Sequence, residues 1–199
     1  IIFDGVWNHM GLNSFAFRDV VARQQASPYK DWFKINSWDD PEAGTTFSFT
    51  GWFGSQELPE TMQDKDGIVA GPRDYIYAAT RRWMDPDDDG DPSDGIDGWR
   101  LDVAFCVKHP FWKAWRKHVR SINPEAYLVA EVVQTVDEEK AYLKGDEFDA
   151  VMNYNFLRAV YEVLIADELR VSATKFDKLL RELREAHPEQ VAHVMQNLL

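Results

Sequence analysis

The sequence predicts an α/β fold built on parallel strands, and three observations carry that prediction. Short, apolar, β-prone runs recur along the chain, stretches of helical periodicity lie between them, and the runs end in polar residues suited to chemistry. Strand followed by helix, repeated in order, is the signature of a barrel or a doubly wound sheet.

The strand-like runs occupy 1–6, 98–103 (after the turn Gly95-Ile96-Asp97), 127–133 and 148–154, and 191–199 resembles them. None alternates cleanly, as expected of buried parallel strands whose outer face is covered by helices. Between them, Pro110 suits a first helical position, and Trp112, Trp115, Val119 and Ile122 recur at three and four residues with Lys113, Arg116 and Lys117 between. Residues 155–166 offer Leu157, Val160, Tyr161 and Leu164 on one face. Ser172 is a helix cap before a stripe of Phe176, Leu179, Leu180 and Leu183, with Pro188 beyond the end. Another helix is expected from about Asp74, with Ile76, Ala79, Thr80 and Trp83 on one face and the Thr80 hydroxyl returned to a backbone carbonyl.

Residues 10–71 break this rhythm. Trp32, Phe33, Trp38, Phe47, Phe49, Trp52 and Phe53 are scattered among Gly, Pro, Asp and Ser without a sustained period. The segment reads as an irregular insertion in which some aromatics make a satellite core and others offer flat surfaces to a ligand.

Composition narrows the partners. The 199 residues are 45% hydrophobic and include 12 Phe, 8 Trp and 7 Tyr, which places the chain among folded domains. A closed barrel needs roughly 250 residues, so the sequence reads as a piece of a longer chain. A net charge of -12 argues against nucleic acid, whose phosphates require a Lys/Arg surface, and leaves a neutral substrate compatible. Nothing approaches a membrane span, and Cys106 alone makes no disulfide framework and leaves the compartment undetermined.

The chemistry is suggested by where carboxylates fall. Strand-like runs terminate in Asp4, Asp102 and Glu131, and in a parallel barrel all C-terminal strand ends open on one face. Arg100 stands two residues before Asp102, which in a strand points both side chains to the same side, so the guanidinium is expected to hold that carboxylate ionised and oriented. Asn8 and His9 follow Asp4 closely. Two carboxyl groups across a cleft, one attacking and the other keeping its proton for a leaving oxygen, form the arrangement that breaks glycosidic bonds.

A second carboxylate group stands apart. Seven of the thirteen positions 85–97 are Asp, and the spacing of Asp85, Asp87, Asp89 and Gly90 imitates the start of a calcium loop. The twelfth position is Ile96, where an EF-hand has a bidentate Glu, so a solvated loop competes with a structural Ca2+ held by Asp85, Asp87 and Asp89. Cys106 and His109 are too few for zinc.

At these residues the sequence resembles the α-amylase family of glycoside hydrolases, and most closely its neopullulanase, cyclomaltodextrinase and maltogenic amylase branch. The run Asp4-Gly5-Val6-Trp7-Asn8-His9 resembles the family's first motif, Gly98-Trp99-Arg100-Leu101-Asp102-Val103-Ala104 its second, and Val129-Ala130-Glu131-Val132 its third. Met152-Asn153-Tyr154, Tyr29-Lys30-Asp31-Trp32-Phe33 and Leu58-Pro59-Glu60 resemble this branch. The resemblance implies part of a (β/α)8 TIM barrel, about strands 3 to 7, made of 1–9 and 72–199, with 10–71 as a small domain inserted after strand 3.

By that resemblance Asp102 is the nucleophile, Glu131 the general acid/base and Arg100 the residue that steadies the nucleophile. His9 bonds the sugar at the cleaved bond, Asp4 and Asn8 brace the site, and Asn153 joins the substrate contacts. A fourth motif with a His-Asp pair, whose Asp is the third catalytic carboxylate, is expected beyond Asn197-Leu198-Leu199. The implied activity is retaining hydrolysis of α-1,4-glucosidic bonds, with α-1,6 bonds also in scope, in maltodextrins, cyclodextrins, starch or pullulan. No cofactor is required for the chemistry, and a homodimer of the full-length protein is compatible with it. Two other readings remain: a transglycosylase using the same residues, and a catalytically silent amylase-like binding domain, against which the joint presence of Asp102, Arg100, Glu131 and His9 weighs.

Overall fold

The computed structural model describes residues 1–165, 172–187 and 195–196. In chain order the elements are β1 (Ile2–Gly5), α1 (Phe15–Arg23), β2 (Ile35–Ser37), β3 (Ser48–Phe49), β4 (Gln63–Asp64), β5 (Gly67–Ile68), α2 (Ala70–Met84), β6 (Gly98–Leu101), α3 (His109–Ile122), β7 (Tyr127–Ala130), α4 (Val136–Glu139), β8 (Ala150–Met152), α5 (Tyr154–Leu164), α6 (Ala173–Ala186) and β9 (Met195–Gln196). Five strands form one parallel sheet in the order β1-β6-β7-β8-β9. A doubly wound sheet reverses its strand order at a switch point. Here the strands follow one another in chain order, so the sheet is the arc of a partial barrel.

Register follows from packing. Gly98 starts β6 so close to β7 that a Cβ there would lie 2.0 Å from the Tyr127 carbonyl oxygen. Asp4 pairs with Arg100, and Leu101 with Ala130, which sets the next residues, Asp102 and Glu131, side by side at the strand exits. The Glu131 N–H donates to Leu101 O at 2.9 Å and Asp102 N–H to Gly5 O at 3.0 Å, extending the ladder to the functional positions. Trp99, Leu101, Leu128 and Ala130 alternate with these polar groups and join the core made with Phe111, Trp112, Trp115, Val119 and Ile122 of α3. Burial of each such large side chain contributes roughly 1.5–3 kcal/mol.

The α3 stripe is the one its periodicity predicts. Helix α2 starts at Ala70, ahead of the expected Asp74, and buries Pro72, Ile76, Thr80 and Met84. Trp83 was expected on that face, but a step of four residues along it selects Met84, and Trp83 turns outward to pack edge-on against Phe3 with centroids 5.1 Å apart. The Thr80 hydroxyl does bond back to Ile76 O at 2.8 Å, and it also accepts from Trp115 Nε1 at 2.9 Å. Ser172 caps α6 as expected, whereas Pro188 and most of 191–199 lie outside the described residues. In α5 the inward positions are Ala159 and Phe156, and the expected Tyr161 and Leu164 are exposed.

Between β1 and α2 a second, smaller core holds Ala16, Phe17, Val20 and Phe33, with Trp32, Trp38, Phe47 and Phe49 packed on it. Helix α1, capped by Ser14, supplies Ala16, Phe17 and Val20; nine residues are too few for a sustained period to show in the sequence. Pairings of Thr61 N–H with Asn8 O (2.9 Å), Thr61 Oγ1 with Trp7 O (3.0 Å) and Met10 N–H with Pro59 O (3.1 Å) pin residues 59–61 along the exit of β1. Among the described residues no helix is long and apolar enough to cross a membrane.

Candidate active site

The site is assembled around one guanidinium. Arg100 points from β6 beside Asp102, as the two-residue spacing requires, and its Nη1 donates to Asp102 Oδ1 at 2.8 Å and to Asp4 Oδ1 at 2.7 Å. Its Nη2 lies 2.9 Å from Glu131 Oε2, and Nε meets Met152 Sδ at 3.4 Å. Four neighbouring strands, β1, β6, β7 and β8, thus meet at one side chain. Burial alone would lower the pKa of Arg100, but the bonds to Asp4 and Asp102 and the charge of Glu131 outweigh it and drive the pKa upward. Arg100 is therefore a permanent cation.

The two central carboxyl groups depart from expectation. Burial pushes the Asp102 carboxyl up, and the negative charges of Glu131 and Asp4 add to this against the pull of Arg100. Burial also acts to raise Glu131, yet its carboxyl is held below the usual range by the Val103 N–H at 2.9 Å, the Tyr154 hydroxyl at 2.7 Å and Arg100. The sequence predicts an ionised Asp102 and a protonated Glu131; in the free site the donors from Val103, Tyr154 and Arg100 favour the ionised form of Glu131. Both carboxylates bond the same guanidinium, so the ionisation of each bears on the other.

Val103 completes this geometry at a cost. It adopts the left-handed conformation (φ 40°, ψ 47°) that β-branched residues avoid, directly after Asp102, while its N–H serves Glu131.

His9 and Asn8 are both buried. Burial lowers the His9 pKa against the opposing charges of Asp102 and Glu60, so the imidazole is neutral at pH 7. Its ring stacks on Trp52 with centroids 5.0 Å apart and planes 17° from parallel. Phe53, beside Trp52 at 4.8 Å, is 83% exposed. The Asn8 backbone carbonyl accepts the Thr61 N–H at 2.9 Å. Asn153, expected among the substrate contacts, is 4% exposed, and its side-chain oxygen caps α5 by accepting the Phe156 N–H at 3.2 Å. That cap starts the helix at Tyr154 and sets the phenol against Glu131.

Sequence reasoning gave no role to Tyr154, to the Val103 N–H or to the Trp52 stack on His9. Tyr154 was visible in the Met152-Asn153-Tyr154 run, but its partner is 23 residues away and only the strand order reveals it.

At the end of β6 opposite these carboxylates, the acidic loop is rearranged relative to its linear spacing. Asp85, Asp87 and Asp94 each bring one carboxylate oxygen within 4.8 Å of the others. Asp89 is not among them; its Oδ1 accepts the Asp91 N–H at 2.7 Å. Loss of solvation and the charges of Asp87, Asp89 and Asp85 push the Asp94 carboxyl up.

Comparison with known proteins places this arrangement. The family profile described as alpha amylase, catalytic domain, matches residues 1–199. The chain is 38% identical over 201 residues to neopullulanase 2 of Thermoactinomyces vulgaris, covering all of this chain and 31% of that protein. It is 35% identical over 204 residues to a cyclomaltodextrinase of Bacillus sp, covering 33% of it. The chain thus spans about a third of the length of these curated relatives. Among solved structures, the debranching enzyme of Nostoc punctiforme superposes with a TM-score of 0.81 at 32% identity, over 100% of this chain and 41% of that one. The cyclic alpha-maltosyl-(1-->6)-maltose hydrolase of Arthrobacter globiformis, in complex with maltose, gives 0.79 at 30% identity over the same 100% and 41%. With a family profile matched along its whole length, the chain belongs to the alpha-amylase catalytic-domain family.

Proposed function

We infer that the full-length protein is a retaining glycoside hydrolase that cleaves α-1,4-glucosidic bonds, and α-1,6 bonds as well, in maltodextrins, cyclodextrins, starch or pullulan. The observation that carries this reading is Arg100 bonded at once to Asp102, Glu131 and Asp4 at the exits of adjacent parallel strands. The relatives bear the names neopullulanase and cyclomaltodextrinase, and a structural neighbour is a debranching enzyme, which supports both linkages. In this reading the sheet is strands 3 to 7 of a (β/α)8 barrel, and 10–71 is the domain inserted after strand 3.

The roles in this reading are those the family resemblance implies. Asp102, oriented by Arg100, attacks the anomeric carbon as Glu131 gives its proton to the departing glycosidic oxygen, so the C–O bond breaks and a glycosyl ester forms. Glu131, now a carboxylate held by Tyr154 and Val103, then takes a proton from water, which attacks the same carbon and releases Asp102. Because the donors around Glu131 favour its ionised form in the free site, Glu131 must take up its proton as substrate binds. Neutral His9 is a hydrogen-bonding partner for a sugar hydroxyl. That Asp102 and Glu131 bond the same guanidinium, at 2.8 and 2.9 Å, supports a close carboxyl pair and hence retention, since an inverting site keeps the two about 6.5–9.5 Å apart for an intervening water.

The test is the anomeric form of the first product, followed by proton NMR during hydrolysis of an α-maltoside by the full-length protein. The α-anomer is expected. Initial release of the β-anomer sinks the retaining mechanism, and an absence of turnover on α-1,4- and α-1,6-glucans alike sinks the hydrolase reading.

A further inference from the structure

We propose that Asp85, Asp87 and Asp94 form a calcium site that ties the end of α2 to the start of β6, at the end of β6 opposite the catalytic carboxylates. One carboxylate oxygen from each lies within 4.8 Å of the others, a spacing that a single cation spans with ligands at about 2.3–2.6 Å. An independent observation comes from Asp85. It is 2% exposed, and its Oδ1 is buried with no hydrogen-bond partner among the described residues. A buried carboxylate oxygen left without a donor is costly, and a cation is the ligand that removes that cost.

The charge around the cluster points the same way. Asp85 is the C-terminal cap of the fifteen-residue helix α2, so the group sits at the negative end of the helix dipole. Among the described residues Arg81 is the one basic side chain within 4.0 Å of the cluster, with Nη1 3.8 Å from Asp85 Oδ2 and 3.5 Å from the neighbouring Asp88 Oδ1. It engages the other oxygen of Asp85, and neither Asp87 nor Asp94 has a basic partner within 4.0 Å among the described residues. An all-oxygen donor set selects a hard cation, and the two exposed ligands leave room for the waters that calcium retains. Asp94 closes the turn Pro92–Asp94, four residues before β6 begins, so the bound cation would fix the entry to the strand that carries Arg100 and Asp102 at its far end.

The experiment uses full-length protein stripped with EDTA and desalted, titrated with calcium chloride by calorimetry and by thermal melting. Expected is a saturable site with a dissociation constant on the order of 10⁻⁵–10⁻³ M and a Tm rise of about 2 °C or more at saturation. The paired substitution Asp87→Asn with Asp94→Asn removes one equivalent of binding and its share of the Tm rise, whereas Asp89→Asn retains both. All three positions are exposed, so folding is not at stake. Overturning results are the absence of binding, an unchanged stoichiometry in the paired variant, an equal loss in Asp89→Asn, or an equal Tm rise with sodium chloride at matched ionic strength. The readouts are binding and stability, so failure of the hydrolase reading would leave this test intact.

Discussion

Tyr154 donates its hydroxyl to Glu131 Oε1 at 2.7 Å, joining the first residue of α5 to the residue after β7. Burial, together with the Glu131 charge it faces, pushes the phenol up to about 12, so Tyr154 remains a donor throughout the range in which a glycosidase works. A donor to a carboxylate stabilises the ionised form, so its removal raises the carboxyl pKa.

Tyr154→Phe should therefore move the basic limb of the kcat/KM profile upward by about one pH unit, because Glu131 keeps its proton to higher pH. A packing role alone would lower kcat without moving the limb. A basic limb that stays in place, or moves down, would remove Tyr154 from control of the acid.

The catalytic pair itself separates by leaving group. Asp102→Asn should abolish turnover on every substrate, because an amide cannot form the glycosyl ester. Glu131→Gln should lose at least about 10²-fold on maltotriose yet recover much of that on an α-glycosyl fluoride, whose leaving group needs little protonation. Equal losses on both substrates would show that Glu131 is not the acid.

How much of this was legible in the sequence follows from distance along the chain. Arg100 and Asp102 share one strand, and their alternation was sufficient to predict the 2.8 Å bond. Asp4 and Glu131 became legible once parallel strand ends were assumed to converge. The bias of Glu131 toward its ionised form was not legible, because it depends on a backbone N–H turned by the left-handed Val103 and on a phenol from the first residue of α5. The acidic loop failed for a related reason. Linear spacing put Asp89 with Asp85 and Asp87, but Asp88 (φ 58°) and Gly90 (φ 88°) reverse the chain locally, and Asp94 meets the other two instead.

The exposed aromatic beside the site yields a different kind of expectation. Phe53 lies next to Trp52, which stacks on His9, and offers most of its ring to solvent. Such a ring fits the apolar face of a sugar. Phe53→Ala should raise KM for maltodextrins several-fold while changing kcat and Tm little, because the ring covers little of the protein itself. Unchanged KM on long and short substrates would exclude a platform role.

Glu139 links the site's surroundings to pH. It is fully buried, Oε1 accepts from Asn155 Nδ2 at 2.8 Å, and Oε2 has no partner among the described residues. Burial, only partly opposed by Asn155 and Arg158, raises its carboxyl to about 7 from an ordinary 4.5. The folded state thus binds a proton that the unfolded chain has already released between those two values. Stability from this group is greatest below pH 4.5, declines as pH rises through that window and levels off above 7, a loss of about 3 kcal/mol on the linkage relation. Glu139→Gln keeps an acceptor for Asn155 and cannot ionise. In thermal melts of the full-length protein, the variant should gain Tm over the parent at pH 8 and lose that advantage toward pH 4.5. A Tm difference that does not vary with pH would mean that Glu139 titrates normally and that its burial is relieved by water.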